Sequence, residues 1–342
     1  MSKLLVVTDA WHPQINGVVR SLERVALELT REGHEVEFLT PQEYRTLPCP
    51  TYPEIRLSLT TRSRMQKRIE KSGADYVHIA TEGPLGLAAR KAVLAMGDVF
   101  TTSYHTRFPE YLSARFPVPK RWSYAWLRRF HNSSAGCMVT TATLEKELAE
   151  HGFRNLMRWS RGVDASEFRP DVEPALTDLP RPIFMNVGRV AVEKNLEAFL
   201  SLDLPGTKVI VGDGPVRASL QARYPDVVFT GAKVGEDLVR HYVSADVFVF
   251  PSLTDTFGNV LLEALACGVP VAGFPVVGPI DIIGDSGAGV LDWDLQRAAL
   301  GAIDVSREFC RDYALGYSWE ASANQFLSNI VVAHGDQKQN AA

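Results

Sequence analysis

Asp246-Val-Phe-Val-Phe250, Pro251-Ser-Leu-Thr-Asp255-Thr-Phe-Gly-Asn-Val260-Leu-Leu-Glu-Ala-Leu265-Ala-Cys-Gly-Val-Pro270 and Val271-Ala-Gly273 are consecutive in the chain. The run 246–250 is apolar, short and rich in β-formers, which predicts a buried strand. A loop follows, and residues 259–267 predict a helix that ends at Gly268. A second apolar run, 270–273, predicts another strand. Strand, helix and strand in so short a span leave parallel pairing with a helical crossover as the economical fold.

The same alternation extends in both directions. Upstream, strands are expected at 183–187, 207–211 and 227–230, with helices at 194–202, 216–223 and 236–243. The first half repeats the plan, with strands at 4–8, 36–39, 76–80, 99–103 and 138–141. Helices are expected there at 18–31, 84–96, 121–132 and 143–151. This is an α/β pattern with mostly parallel sheets covered on both faces. The alternation fades between Arg161 and Pro182, where Pro170, Pro174, Pro180 and Pro182 punctuate a polar run, as at many domain boundaries. A chain of 342 residues is long for one core. Two domains are expected, 1–170 and 171–317, framing a cleft in which ligands meet the carboxyl ends of the strands.

Composition narrows the class. The hydrophobic fraction of 46% is that of a soluble globular protein, and no stretch is apolar enough to span a membrane. The four cysteines, Cys49, Cys137, Cys267 and Cys310, are widely spaced. They imply neither a disulfide framework nor a metal pair, so a cytoplasmic protein is expected. The net charge of −4 hides an asymmetry: the first 170 residues are net cationic and the remainder net anionic. The two halves are therefore expected to meet different partners.

Chemistry concentrates after the strands. Strand 183–187 runs into Gly188-Arg189, and Lys194 follows five residues on. A planar guanidinium and a mobile ammonium together suit a diphosphate. Strand 207–211 leads to Gly212-Asp213-Gly214-Pro215, whose glycines permit close approach of a base or ribose. After strand 246–250, Asp255 and Glu263 flank Phe257, Gly258, Asn259 and Val260. Free amides at that helix start suit phosphate oxygens. Asp255 is expected to accept from sugar hydroxyls and Glu263 from ribose hydroxyls. In the first half, Asn16-Gly17 opens a helix that could face the diphosphate. His105, after strand 99–103, could bond a sugar hydroxyl or pass a proton, and Glu82 follows strand 76–80. A ligand bearing phosphates and hydroxyls, such as a nucleotide sugar, satisfies this set.

Two basic stretches mark the acceptor side. One holds Arg56, Arg62, Arg64, Lys67, Arg68 and Lys71. The other runs from Arg115 to Arg129 and interleaves Lys120, Arg121, Arg128 and Arg129 with Phe116, Trp122, Tyr124 and Trp126. Cations with amphipathic rings suit an anionic membrane surface. No nucleic-acid recognition module is present. The histidines lack ligand spacing, and Asp292-Trp-Asp294 alone is too small a donor set for a metal.

Taken together, Asn16-Gly17, His105, Gly188-Arg189, Glu193-Lys194, Gly212-Asp213-Gly214-Pro215 and Asp255…Glu263 resemble the retaining GT-B glycosyltransferases of family 4. The resemblance covers nearly the whole chain and is strongest over 255–271. It implies two Rossmann-like domains facing across a cleft, with the donor held mainly by the second. It also implies metal-independent transfer from a UDP-sugar or GDP-mannose with no cofactor. Arg189 and Lys194 match the family's diphosphate pair, Glu263 its ribose-binding glutamate, and His105 its cleft histidine. Asp255 departs from the pattern, standing where many members carry glutamate. A final helix, about 318–335, would return to the first domain. The nearest subgroups resemble GDP-mannose-dependent α-mannosyltransferases and bacterial transferases that glycosylate diacylglycerol. With the basic, aromatic segments they point to a lipid acceptor at the inner face of the cytoplasmic membrane. Arg107 is a candidate cation for an anionic sugar. A nucleotide-sugar epimerase and a non-catalytic nucleotide-sugar binder remain as rival readings.

Overall fold

A computed structural model describes residues 1–13, 16–49, 55–115 and 118–340, with the side chains of 114, 115 and 336–340 outside the description. In chain order the elements are β1 (Lys3–Val7), α1 (Gly17–Arg31), β2 (Glu35–Leu39), β3 (Arg45–Pro48), β4 (Arg56–Leu59), α2 (Arg62–Ser72), β5 (Tyr76–Ile79) and α3 (Pro84–Met96). They continue with β6 (Thr101–Ser103), α4 (Phe108–Arg115), α5 (Lys120–His131), β7 (Gly136–Val139), α6 (Ala142–Glu150) and β8 (Leu156–Arg158). Next come β9 (Ile183–Val187), α7 (Leu196–Leu200), β10 (Thr207–Val211), α8 (Arg217–Arg223), β11 (Val228–Gly231), α9 (Gly235–Ser244) and β12 (Val247–Phe250). The chain closes with α10 (Asn259–Ala266), β13 (Val271–Gly273), α11 (Pro279–Ile282), β14 (Gly289–Leu291), α12 (Leu295–Gly301), α13 (Arg307–Ala314) and α14 (Trp319–Asn340).

Two compact units result. One comprises residues 1–161 with 319–342, the other 162–318. The division falls at Arg161/Gly162 rather than at the expected 170/171, because Val163 and Phe168 are buried in the core of the second unit.

The first unit holds a parallel sheet in the order β2-β1-β5-β6-β7-β8 and a separate antiparallel hairpin, β3-β4. Alternate residues of β1 enter opposite cores. Leu5 and Val7 pack with Val77, Ile79 and the α3 residues Leu85, Ala89 and Val93. Leu4 and Val6 pack with Leu22, Val25 and Leu29 of α1 and with Ala323, Phe326 and Ile330 of α14. Helix α1 forms because its apolar stripe repeats at helical spacing and Asn16 caps it, its Oδ1 accepting from Val18 N and Val19 N at 3.0 Å. In α14, Phe326 lies 4.5 Å from the Trp159 ring and 4.8 Å from His78. Truncating this fully buried ring to alanine should cost about 3–5 kcal/mol.

The second unit repeats the plan with the order β11-β10-β9-β12-β13-β14. Ile183, Met185 and Val187 of β9 face α9, α10 and α13, while Phe184 joins Ile210, Val247 and Val249 against α7, α8 and α12. In each unit strand order reverses once beside the first strand, at β1/β5 and at β9/β12. Loops leaving two neighbouring strands diverge there, which is where open parallel sheets bind ligands.

Candidate functional site

The carboxyl edge of the second sheet assembles most of the expected donor residues. Lys194, following β9, and Asp255, following β12, meet across the strand-order reversal, Nζ to Oδ1 at 2.5 Å. Two further contacts tie the same loops. Asn195 Nδ2 donates to Pro251 O at 3.0 Å and Thr254 Oγ1 to Glu193 O at 3.3 Å. Arg189 is exposed on this edge. Asp255 Oδ2 and Ser252 Oγ are buried without a hydrogen-bond partner. Buried polar atoms are normally paired, so an acceptor and a hydroxyl lie unused beside the loop pair.

Helix α10 starts after Gly258, whose φ of 90° and ψ of 71° place it in the left-handed region, and no side chain caps it. Glu263, 7% exposed, sits in the second turn and accepts from Tyr242 OH at 2.8 Å. Phe257, expected at the ligand, is instead packed into the hydrophobic core. Its side chain supports the loop and leaves only its backbone for recognition. The glycines after β10 also serve the protein itself. A Cβ on Gly212 would fall 1.8 Å from Gly188 O, and one on Gly214 2.3 Å from Val190 O. They let the loops after β9 and β10 pack together, and Val190 N donates to Asp213 O at 2.9 Å.

In the first unit, the strand-order reversal is occupied by Asp9. Its carboxylate accepts from Leu85 N at 2.8 Å, Gly86 N at 3.1 Å and Thr81 Oγ1 at 3.0 Å. It thereby caps α3 with a charge that the helix start favours. Burial outweighs these bonds and pushes its pKa up to about 6. Gly83 is required here, since a Cβ would stand 2.4 Å from Asp9 Cγ. Asn16 similarly uses its side chain on the α1 amides. Both helix starts are thus satisfied internally, which argues against the expectation that the α1 amides face a phosphate.

His105 follows β6 and approaches Arg161, Nδ1 to Nη2 at 3.2 Å. Burial first, then the charge of Arg161, hold the imidazole pKa well below its ordinary value. Glu82 is positioned by His131, whose Nε2 lies 2.9 Å from Oε1. Arg107, expected as an available cation, is turned inward and pairs with Glu147 at 2.5 Å. Burial opposes its charge, but Glu147 and Glu110 outweigh that and raise its pKa. It is spent on structure.

The basic stretches divide in the same way. Arg68 bonds Glu37 at 2.6 Å and Glu43 at 2.9 Å, and Arg64 lies over the Tyr44 ring, whereas Arg62 and Lys67 are exposed. On α5, Tyr124 is buried and stacks on His151 at 3.8 Å, so it belongs to the interior. Trp122 and Trp126 are 63% and 43% exposed, with Lys120, Arg121, Arg128 and Arg129 exposed around them. Phe116 lies outside the described residues. Three contributors had been missed: Asp9, Arg161 and Tyr242. Among the described residues no group of three or more His, Cys, Asp or Glu converges, and no helix is long and apolar enough to cross a membrane.

Residues 15–167 match the model of Glycosyltransferase Family 4, and residues 181–303 that of Glycosyl transferases group 1. The chain is 33% identical to a GDP-mannose-dependent alpha-mannosyltransferase of Mycolicibacterium smegmatis, over 99% of this chain and 100% of that protein. It is 24% identical to an alpha-monoglucosyldiacylglycerol synthase of Streptococcus pneumoniae, over 94% and 83% of the two chains. The fold is similar to that of sucrose-phosphate synthase from Thermosynechococcus elongatus, with a TM-score of 0.75 at 19% identity and full coverage of both chains. The chain therefore belongs to glycosyltransferase family 4 and is a glycosyltransferase of the GT-B fold.

Proposed function

We propose that this glycosyltransferase moves a hexose or hexuronate from a UDP- or GDP-linked donor to the hydroxyl of a membrane lipid such as diacylglycerol, with retention of anomeric configuration. The observation that carries the proposal is the meeting of Lys194 and Asp255 where β9 and β12 diverge. A cation for phosphate and a carboxylate for hydroxyls stand at one strand edge, and Glu263 is held on the adjoining helix. When the sugar departs, charge builds on the leaving diphosphate. Arg189, Lys194 and the amides at the start of α10, once engaged by the bound diphosphate, stabilise it without reorganising at the moment of transfer. The acceptor oxygen attacks the anomeric carbon from the face the diphosphate leaves. The carbon–phosphate-oxygen bond breaks with its electron pair on phosphate, and that phosphate takes the acceptor's proton. The reading needs neither metal nor cofactor.

A narrower reading, GDP-mannose as donor with a phosphoinositide or glycan acceptor, is favoured by the full-length similarity to the mycolicibacterial mannosyltransferase. The lipid acceptor draws support from the similarity to the pneumococcal diacylglycerol enzyme and from Trp122 and Trp126 on a basic helix face. A product screen tests both. GDP-mannose, UDP-glucose, UDP-glucuronate and UDP-galactose would each be supplied with diacylglycerol or phosphatidylinositol vesicles and the products read by mass spectrometry. A glycolipid of retained configuration is expected. An inverted anomer or a trapped glycosyl-enzyme adduct overturns the mechanism, and no acceptor-dependent product in any combination overturns the lipid assignment.

A further inference from the structure

We propose that Arg161 is a positioning residue that locks the ring of His105 as the tautomer with its proton on Nε2. The argument begins with donor inventory. A guanidinium has five N–H donors and no acceptor, so the 3.2 Å contact between Arg161 Nη2 and His105 Nδ1 is a hydrogen bond only if Nδ1 offers its lone pair. The ring proton then sits on Nε2. With the proton on Nδ1, two donors would confront each other inside the protein, beside a buried cation.

Arg161 is built to hold this position. It is 4% exposed. Its Nη1 donates to Trp159 O at 3.0 Å and Ser160 O at 3.1 Å, and its Cζ lies 3.8 Å over the Trp159 ring. Among the described residues no carboxylate pairs with it, and burial lowers its pKa to about 9, so it remains a cation at neutral pH. Among the described residues, the titratable groups facing His105 include Arg161 from the chain after β8, His78 on β5 and His131 on α5. All disfavour a second positive charge.

A chemical role follows, and that part rests on the glycosyl-transfer reading. With Nδ1 committed to Arg161, His105 can act toward a substrate oxygen only as a donor from Nε2, and that nitrogen is buried in this structure, so the substrate must displace what covers it. His105 is unfitted to take a proton from the acceptor, since this would place an imidazolium against Arg161. Of the two roles the sequence allows for His105, donor and proton carrier, only the first survives.

The test uses full-length protein with ¹⁵N-labelled histidine and long-range ¹H–¹⁵N correlation spectra, with His105 assigned from its missing signals in His105→Asn. The wild type should show a neutral ring protonated at Nε2 from about pH 5.5 to 8. In Arg161→Met the ring should populate both tautomers and its pKa should rise toward the ordinary imidazole value of about 6.5. Arg161→Gln should keep only part of the bias toward the Nε2-protonated ring, because its amide can donate to Nδ1 but its carbonyl can also accept from it. In turnover, Arg161→Met should lose roughly 10- to 100-fold in kcat, with Gln restoring part of it. A wild-type ring protonated on Nδ1, an imidazolium near pH 7, or an unchanged tautomer in folded Arg161→Met overturns the proposal. If the Met variant does not fold, the wild-type and Gln spectra decide. The spectra do not depend on turnover, so an inactive enzyme with the expected tautomer would sink the transferase reading alone.

Discussion

Lys194 Nζ lies 2.5 Å from Asp255 Oδ1, so the cation expected to meet phosphate is already engaged by the carboxylate expected to meet sugar. If a diphosphate binds at Lys194, it must compete with Asp255 for that cation and would free Asp255 for hydroxyls. Asp255→Asn removes the competitor. Affinity for bare UDP or GDP should rise about fivefold, the equivalent of ~1 kcal/mol for a partly exposed pair, while turnover falls. Calorimetric titration checks this; unchanged or weaker diphosphate binding would show that the pair does not gate the phosphate site.

Arg189 is exposed, so its removal should leave stability within about 0.5 kcal/mol of the wild type. If it stabilises the leaving diphosphate, Arg189→Ala should raise the barrier by roughly 2–4 kcal/mol, or about 30- to 1,000-fold in kcat. A normal melting curve with strongly reduced turnover is the expected pair of results. Normal turnover would remove Arg189 from the site.

Tyr242 and Glu263 come from α9 and α10, and the phenol OH donates to the carboxylate at 2.8 Å. Tyr242→Phe keeps the ring's place in the core and removes one donor to a charged group, which should cost about 1.5–3 kcal/mol. The loosened carboxylate should also bind nucleoside diphosphates less tightly. Denaturation and nucleotide titration of the same variant separate the two effects, and a loss of stability with unchanged affinity would make Tyr242 purely structural.

These three cases mark what a sequence can carry. β9 and β10 were legible to the residue because each is a short run rich in β-branched or aromatic residues and punctuated by Pro or Gly on either side, Pro182 and Gly188 for one and Gly206 and Gly212 for the other. β8 and β14 were not, being three residues each with half-buried or exposed side chains, and β3 and β4 are only four residues each, the first ending in Pro48. Lys194 and Asp255 were legible because each follows a predicted strand. Arg161 and His105 are 56 positions apart, and Tyr242 and Glu263 are 21 apart. No local pattern announces such partners. Arg107 was misjudged because composition gives a charge but not its direction.

Asp9 supplies a pH prediction. Its pKa is raised from 3.8 to about 6, so the fold holds the proton more tightly than the unfolded chain does. Its contribution to stability is therefore fully present below about pH 3.8 and is lost as pH rises through about 6. The change is on the order of 3 kcal/mol. Asp9→Asn cannot titrate, so its stability relative to the wild type should improve steadily from about pH 4 to 7. Chemical denaturation at several pH values reads that difference and cancels the other carboxylates. A flat difference would mean that Asp9 titrates normally.

Trp122 and Trp126 are one helical turn apart on α5 and both exposed, so their indoles lie on one face. If this face meets a membrane, the indoles would settle at the headgroup level while the surrounding Arg and Lys attract anionic phosphates. The two contributions separate experimentally. Arg121→Gln with Arg129→Gln should weaken sedimentation with phosphatidylglycerol vesicles by about 1 kcal/mol per charge at low salt, and the loss should shrink as salt rises. Trp122→Ala with Trp126→Ala should weaken binding at both low and high salt, because ring burial is not screened. Wild-type protein that fails to sediment with anionic vesicles at low salt would show that this face meets water alone.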